Sequence, residues 1–443
     1  MVIFITILIC ILSIIFSKYL FKKWFNHILI YALSWTLFII LYELKLMRFI
    51  EVKFEVWIII LLSFISLWLG TLTVIMAKQS ISKITPNPNV IDTFNTVSLY
   101  RLDFIRNISL IFSIIGLFAS IHHWYALINE YGSIANVLIK ANFIYRQRIQ
   151  GESVDTIPYL FIASYIGVFF GAILTAYKKR LTFAAVLPFV GIILKGMATV
   201  GRGGIFVGFL LFINTFFLFR HKLSKTENFK TRLTYSSVFS ILLLLVISIG
   251  SLNMVKEIRG SFENFEGTTR TLKKLKDVPV ISPQIYLYFS SNIGVLSKYF
   301  EKGGEDPPIA SNSLLPIYNV LTKFGIVEQQ QIYPKGYYIP MWTNSATYLR
   351  DLHADFGYGG LFLIPYLLGI FVTYYWFKFY ERSNMIDFVI LTYTYVIISF
   401  STFYMITRAA LWFMSFLFLI IFVKYLDIYF FKRLHKGILN DQV

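Results

Sequence analysis

The sequence predicts an all-α polytopic membrane protein with about 11 transmembrane helices and one large extracytoplasmic loop containing short helices. Three observations predict it. The 443 residues are 57% hydrophobic and 19% aromatic, with only 14% charged, far oilier than a soluble chain of this size. Apolar runs reach roughly 17 to 22 residues, the length a helix needs to cross about 30 Å of hydrocarbon. Too little polar sequence remains to wrap such helices in a solvated shell.

In chain order the spans fall near 2–20, 27–46, 56–77, 105–127, 157–177, 182–200, 203–219, 234–254, 358–379, 386–405 and 408–430. The first run is followed by Lys18, Lys22 and Lys23 and lacks both a basic leader and a small-residue cleavage site, so it reads as a retained span rather than a signal peptide. It contains Cys10, the chain's one cysteine, which excludes an internal disulfide and argues against a thiolate metal site. No internal repeat or low-complexity tract is visible. Three segments follow: 1–254 with the first eight spans, a large loop at 255–357, and 358–443 with the last three spans and a tail.

Lys and Arg in the connections predict the orientation. One set of short connections holds KYLFKKW, the 78–106 segment, the YKKR stretch ending at Arg180, RHKLSKTENFKTR at 220–232, FKFYER and the tail FKRLHK, with about 20 basic residues against about 8 in the opposite set. The richer side is expected to be cytoplasmic. The N-terminus and residues 255–357 then lie outside, and the C-terminus inside. The formal charge of +18 is spread along the cytoplasmic face, with no compact basic domain of the kind that binds nucleic acid.

Within the large loop, QIYLYFSSNIGVLSKYF at 284–300 spaces its aromatics as a helix does, between Pro283 and the GGEDPP turn. SNSLLPIYNVLTKFGI is expected to form a short amphipathic helix along the membrane surface. YPKGYYIPMWTNS offers aromatic rings that suit either sugar stacking or interfacial anchoring.

Charge then gathers where the loop enters the ninth span, in TNSATYLRDLHADFGYGG. Asn344 or Ser345 is expected to cap a helix over 346–356 that Gly357 stops. At 100° per residue, Leu349, Leu352 and Phe356 form one stripe, with Asp351 and Asp355 on the opposite side. One interpretation seats the stripe on lipid or protein and turns the carboxylates to water. The other makes His353 or Asp355 a proton acceptor while Arg350 holds an anion.

Two further arginines sit on short outer connections, where Lys and Arg are normally avoided: Arg202 in MATVGRGGIF and Arg408 in MITRAALW. Gly203 and Gly204 leave backbone N–H groups open to close approach, as phosphate-binding turns do. Arginine's planar fork grips phosphate oxygens, so Arg202, Arg350 and Arg408 together suit a diphosphate. The competing interpretation has each arginine snorkelling to lipid headgroups. Lys195, one or two turns below Arg202, needs a polar cavity or a carboxylate, or else snorkels outward. His122 and His123 diverge by about 100° on a helix and read as interface residues rather than a metal pair.

The order of many spans, a GRGG turn at 201–204, one large outer loop and then the Asn344, Thr347, Tyr348, Asp355, Phe356, Gly357 and Gly360 pattern resembles the oligosaccharide repeat-unit polymerases of bacterial surface polysaccharides, the Wzy-type O-antigen and capsule polymerases. The resemblance covers the architecture of nearly the whole chain, but at residue level only 200–204 and 344–360. The chain has no HExxH, no CxxC and no adjacent acidic pair in an early outer loop. The last absence counts against metal-dependent polyprenyl-phosphate glycosyltransferases, and no cofactor is expected.

The resemblance implies an enzyme of the bacterial inner membrane that acts on undecaprenyl-diphosphate-linked oligosaccharide. An acceptor hydroxyl would attack the donor's anomeric carbon and expel lipid diphosphate. Arg202, Arg408 and Arg350 would neutralise the leaving group, and His353 or Asp355 would take the proton. A chain-length regulator protein is a further partner the family implies. A flippase or exporter of the same lipid-linked glycan, an O-antigen ligase, and a sensor whose outer loop binds a partner are the rival classes.

Overall fold

The computed structural model describes residues 2–81, 102–150, 157, 159–226, 234–258, 267–274, 283–331, 333–382 and 384–440. Among them are seventeen α-helices and one short hairpin. In chain order the helices are α1 (Val2–Phe21), α2 (His27–Glu43), α3 (Phe54–Ile81), α4 (Leu102–Tyr131), α5 (Ile134–Ile139), α6 (Ala141–Gln150), α7 (Ile162–Lys178), α8 (Phe183–Ala198), α9 (Gly203–Thr226) and α10 (Tyr235–Ile258). The large loop contributes α11 (Arg270–Lys274), α12 (Pro283–Ser290), α13 (Asn292–Glu301), α14 (Leu315–Lys323) and the antiparallel pair β1 (Tyr337–Tyr338) and β2 (Trp342–Thr343). Then come α15 (Tyr348–Arg382), α16 (Met385–Phe400), a 3-10 turn at Ile406–Arg408 and α17 (Ala410–Asn440).

Seven helices are long and apolar enough to cross a membrane: α1, α3, α4, α9, α10, α15 and α17. Four shorter apolar helices, α2, α7, α8 and α16, accompany them. This is a membrane-embedded helical protein. Each expected span falls on one of these eleven helices. Seven is the number that length and composition alone support as crossing. The basic connections at 78–106 and 220–232 lie partly outside the described residues (82–101 and 227–233), as do 259–266 and 275–282 of the large loop and the basic side chains of the tail.

Small residues let the helices approach closely, as they do where lipid offers no hydrophobic drive to pack. A Cβ on Gly70 would stand 2.0 Å from the Tyr366 carbonyl oxygen, and one on Gly369 2.3 Å from that of Leu67, so α3 and α15 touch backbone to backbone. Serines stitch α4 to its neighbours: Ser109 donates to the Ala184 carbonyl at 2.8 Å and Ser120 to that of Gly191 at 2.8 Å. That packing fixes α8, and with it the turn into α9.

The large loop folds back onto one end of the bundle. Lys53 N–H donates to Ser297 Oγ at 3.1 Å, Asn292 Nδ2 to the Thr402 carbonyl at 2.8 Å, and a bridge joins Met47 to Thr268. The single helix expected over 284–300 is two helices, α12 and α13, broken at Ser291, and the GGEDPP turn follows with Gly303 and Gly304 both at φ 83°. In α14, Leu315 is buried while Ile317 and Val320 are exposed, as is Phe324 just past its end, the two-faced pattern its sequence predicts. Loop helices α12 and α13 pack on α2, α13 also on α3 and α15, and α14 on α17, while Asn292 bonds Thr402 just past α16 and Arg148 links Thr199, at the end of α8, to Tyr333. The charged motifs therefore gather at this end.

Candidate functional site

The first segment of α15, Tyr348–Phe356, stops at a break where Gly357 adopts φ 61° and ψ −158° before the helix resumes. Only glycine takes that conformation without strain, so the stop signal acts as a kink between two helices. The start differs from expectation. Asn344 and Ser345 do not cap the helix, which begins at Tyr348. Thr347 takes the cap position with its hydroxyl buried and unbonded. The Tyr348 N–H instead reaches the Ser401 carbonyl at 2.8 Å, and its phenol meets that of Tyr31 at 3.1 Å. Tyr348 is a core anchor at the α2–α16 junction. Asn344 lies half-buried just past the hairpin.

Leu349 and Leu352 are fully buried, but so are Asp351 (3% exposed) and Asp355 (4%). The reading that turns these carboxylates to water is corrected: the loop and the 401–409 turn bring donors to them. Asp355 Oδ1 accepts from Asn312 N–H and Nδ2, both at 2.9 Å; Oδ2 accepts from Ser313 N–H at 2.7 Å and from its hydroxyl at 2.6 Å. A carboxylate offers about four acceptor positions, and all are taken. Asp355 clamps the loop and has no lone pair left for a substrate proton.

Asp351 meets Arg408. The guanidinium Nη1 donates to Asp351 Oδ1 at 2.8 Å and to Asn312 Oδ1 at 2.6 Å, while Nη2 donates to the Gln331 carbonyl at 3.2 Å. Asp351 Oδ2 accepts the Met405 N–H at 2.9 Å. Both side chains of this ion pair are almost wholly buried. A desolvated pair of this kind persists only when hydrogen bonds satisfy the remaining polar atoms, as they do here.

Arg350 and His353 occupy the other side of the same segment. Arg350, 1% exposed, donates from Nη2 to Glu305 Oε1 at 2.5 Å and lies between the rings of Tyr299 (5.5 Å) and Tyr337 (5.3 Å). Tyr337 also donates to Glu305 Oε1, at 3.1 Å. Burial pushes the Tyr337 phenol up to about 12, with the Glu305 charge adding to the shift, so it stays a donor. His353 stands in an aromatic box of Tyr299, Phe300 and Tyr358, with Nδ1 at 2.8 Å from the Tyr299 phenol oxygen.

On a helix Asp351 and His353 diverge by about 200°. Arg350 and His353 therefore face α13, whereas Asp351 and Asp355 face Asn312 and Arg408. The expectation that Arg350 joins Arg202 and Arg408 is corrected. Its counter-charge is Glu305, and the cause is the one-residue offset from Asp351.

Arg202 and Arg408 do approach a common region. Val200 adopts a left-handed φ of 49°, which a β-branched residue rarely does, and so swings the chain from α8 into α9. Gly203 and Gly204 form the first turn of α9, where N–H groups have no helical acceptor. A Cβ on Gly203 would lie 3.6 Å from the Tyr404 phenol oxygen and one on Gly204 3.0 Å from that of Tyr165. Gly204 thus admits Tyr165 closely, while Tyr404 lies at ordinary contact distance from Gly203, beside Arg202 in the chain. Burial pushes the Tyr288 phenol up to about 12, with the Arg202 charge working against the shift. Tyr404 is pushed higher by its own burial and by neighbouring Tyr288, Tyr165 and Tyr333, with Arg408 opposing. The charge of Arg202 thus acts on Tyr288 and that of Arg408 on Tyr404.

Residues absent from the sequence reading complete the picture. Arg148 on α6 donates to the Thr199 carbonyl at 2.6 Å and to the Tyr333 phenol at 2.7 Å, tying the 199–204 turn to the large loop two residues beyond the Gln331 carbonyl held by Arg408. Nothing in the sequence between the fourth and fifth spans marked α5 and α6, which are too short and too polar to register as spans. Lys195 contacts His123 Nδ1, not a carboxylate, and His122 lies beside the Phe118 ring. Among the described residues no three His, Cys, Asp or Glu side chains are grouped to hold a metal ion.

The site can bind anionic oxygen. Several phenols that remain protonated present donors at one end of an apolar bundle, beside Arg202 and the buried Arg408–Asp351 pair. No protein family, characterised protein or solved structure matches the chain, so its function is read from these residues alone.

Proposed function

We propose that the chain is a glycosyltransferase of the bacterial cytoplasmic membrane, a polymerase that joins undecaprenyl-diphosphate-linked oligosaccharide repeat units into a surface polysaccharide. The observation that carries the proposal is the approach of Arg202 and Arg408 to one group of neutral tyrosines at the bundle end covered by the large loop. In this reading all eleven apolar helices cross the bilayer, with the N-terminus and the large loop outside and the C-terminus inside. The excess of Lys and Arg in the opposite connections supports that orientation.

The acceptor hydroxyl oxygen bonds to the donor's anomeric carbon while the bond from that carbon to the diphosphate oxygen breaks. The diphosphate leaves with the electron pair. Arg202 and Arg408 offset its developing charge, and the Tyr288 and Tyr404 phenols donate hydrogen bonds to it. The hydroxyl proton leaves with the departing diphosphate, because His353 faces α13 on the side of α15 away from Arg408. Asp355 holds Asn312 and Ser313 against α15, and Arg350 with Glu305 holds the loop on the other face.

The test is glycan length in cells carrying Arg202→Ala with Arg408→Ala. The proposal expects single repeat units on the final acceptor. Full-length polymer there overturns it. Polymer retained on the lipid carrier indicates a ligase, and substrate trapped on the cytoplasmic side a flippase.

A further inference from the structure

Behind the 199–204 turn lies a second basic cluster that the polymerase reading does not use. His123 from α4, Arg148 from α6 and Lys195 from the last turn of α8 meet there. The Lys195 ammonium donates to His123 Nδ1, which can accept only when the His123 ring is neutral, so that ring's proton sits on Nε2. The Phe161 ring lies 5.9 Å from Lys195 Nζ. Arg148 Nη1 donates to the Thr199 carbonyl at 2.6 Å, and the Thr199 hydroxyl donates to the Lys195 carbonyl at 2.8 Å, which brings the guanidinium to the same turn as Lys195; its Nε is buried with no hydrogen-bond partner. None of the three has a carboxylate partner in the described structure.

An ammonium beside a guanidinium in apolar surroundings is costly unless an anion completes the arrangement. The donors present suit a tetrahedral anion better than a planar one: two unused ammonium hydrogens, the His123 Nε2–H and the Arg148 guanidinium come from three separate helices.

We propose that His123, Arg148 and Lys195 form a phosphate-binding site, distinct from the Arg202–Arg408 pair, that takes a phosphoryl group from a membrane lipid or from solution. Its contacts stand without the polymerase reading. Occupancy neutralises Lys195 and pins α6 against α8, which fixes the turn carrying Arg202.

The test measures binding to the purified protein in neutral-lipid nanodiscs with two probes, inorganic pyrophosphate in solution and phosphatidic acid within the disc. The wild type is expected to bind at least one. Lys195→Met and Arg148→Gln, made singly and together, are expected to weaken that probe by about tenfold to hundredfold. Binding of pyrophosphate alone assigns a soluble anion, and binding of phosphatidic acid alone a lipid headgroup. Because the double variant is at risk of misfolding, each single variant is also melted with and without probe; loss of probe-induced stabilisation in a folded single variant supports the site. No binding of either probe to the wild type, or equal binding by wild type and folded variants, overturns the proposal.

Discussion

Asp355→Asn separates a clamp from a proton acceptor. The carboxylate receives two donors on each oxygen. The asparagine keeps one acceptor oxygen, which can still serve Asn312, and turns an amide NH2 toward Ser313. The Ser313 hydroxyl can rotate to accept from that amide, but its backbone N–H cannot. The minimum loss is therefore one charge-assisted hydrogen bond together with a buried N–H left unpaired, about 3 kcal/mol. That is a sizeable share of the net stability of a typical folded domain. It multiplies local opening about 100-fold. Hydrogen exchange on the detergent-solubilised protein, followed through peptides covering 305–331, reads this directly. Faster exchange confined to that stretch is the expected result. Unchanged exchange with lost glycan elongation would refute the clamp and return Asp355 to the chemistry.

Arg408→Ala leaves Asp351 buried with only the Met405 N–H, and removing one partner of such a pair costs about 3–5 kcal/mol; its melting temperature should fall well below that of the wild type, and adding Asp351→Asn should restore part of the loss. Gly369→Ala forces a methyl group 2.3 Å from the Leu67 carbonyl and should cost about 1–3 kcal/mol by separating α3 from α15, whereas Gly359→Ala, which meets nothing within 4 Å, should melt near the wild type. Equal melts for the two glycine variants would contradict the close backbone contact. The Tyr288 and Tyr337 phenols are pushed up to about 12 from an ordinary value near 10. The folded state therefore holds their protons more tightly than the unfolded chain. Their contribution is complete below pH 10 and disappears between about pH 10 and 12, so alkaline unfolding of the large loop should fall in that window and shift when either tyrosine becomes phenylalanine.

The apolar helices were legible because each is an apolar run, and the break at Gly357 because only glycine takes its backbone geometry. Arg202 and Arg408 were legible as arginines on connections between apolar helices too short to carry charge by default. The split of Arg350 from them was not. It depends on which way α15 is rotated against the loop, and that rotation is set by Asn312, Ser313 and Glu305, which lie some 40 residues away in sequence. The same contacts bury Asp351 and Asp355, which a helical wheel alone turns to water. Arg148 stayed hidden because α6 is short and polar, and its partners Thr199 and Tyr333 are joined to it only by folding. The expected cap failed for a related reason: Tyr348 is anchored to Ser401 by tertiary contact, so the helix starts where that anchor lies and not at the best capping residue.

Reconstitution of the purified chain in liposomes with lipid-linked repeat units tests the central claim most directly, by following glycan length and released lipid diphosphate together. The account predicts chains that lengthen with one lipid diphosphate freed per linkage in the wild type, and neither product from the Arg202→Ala, Arg408→Ala double variant. Equal elongation by both proteins, or movement of the lipid-linked unit across the bilayer without any elongation, would contradict it.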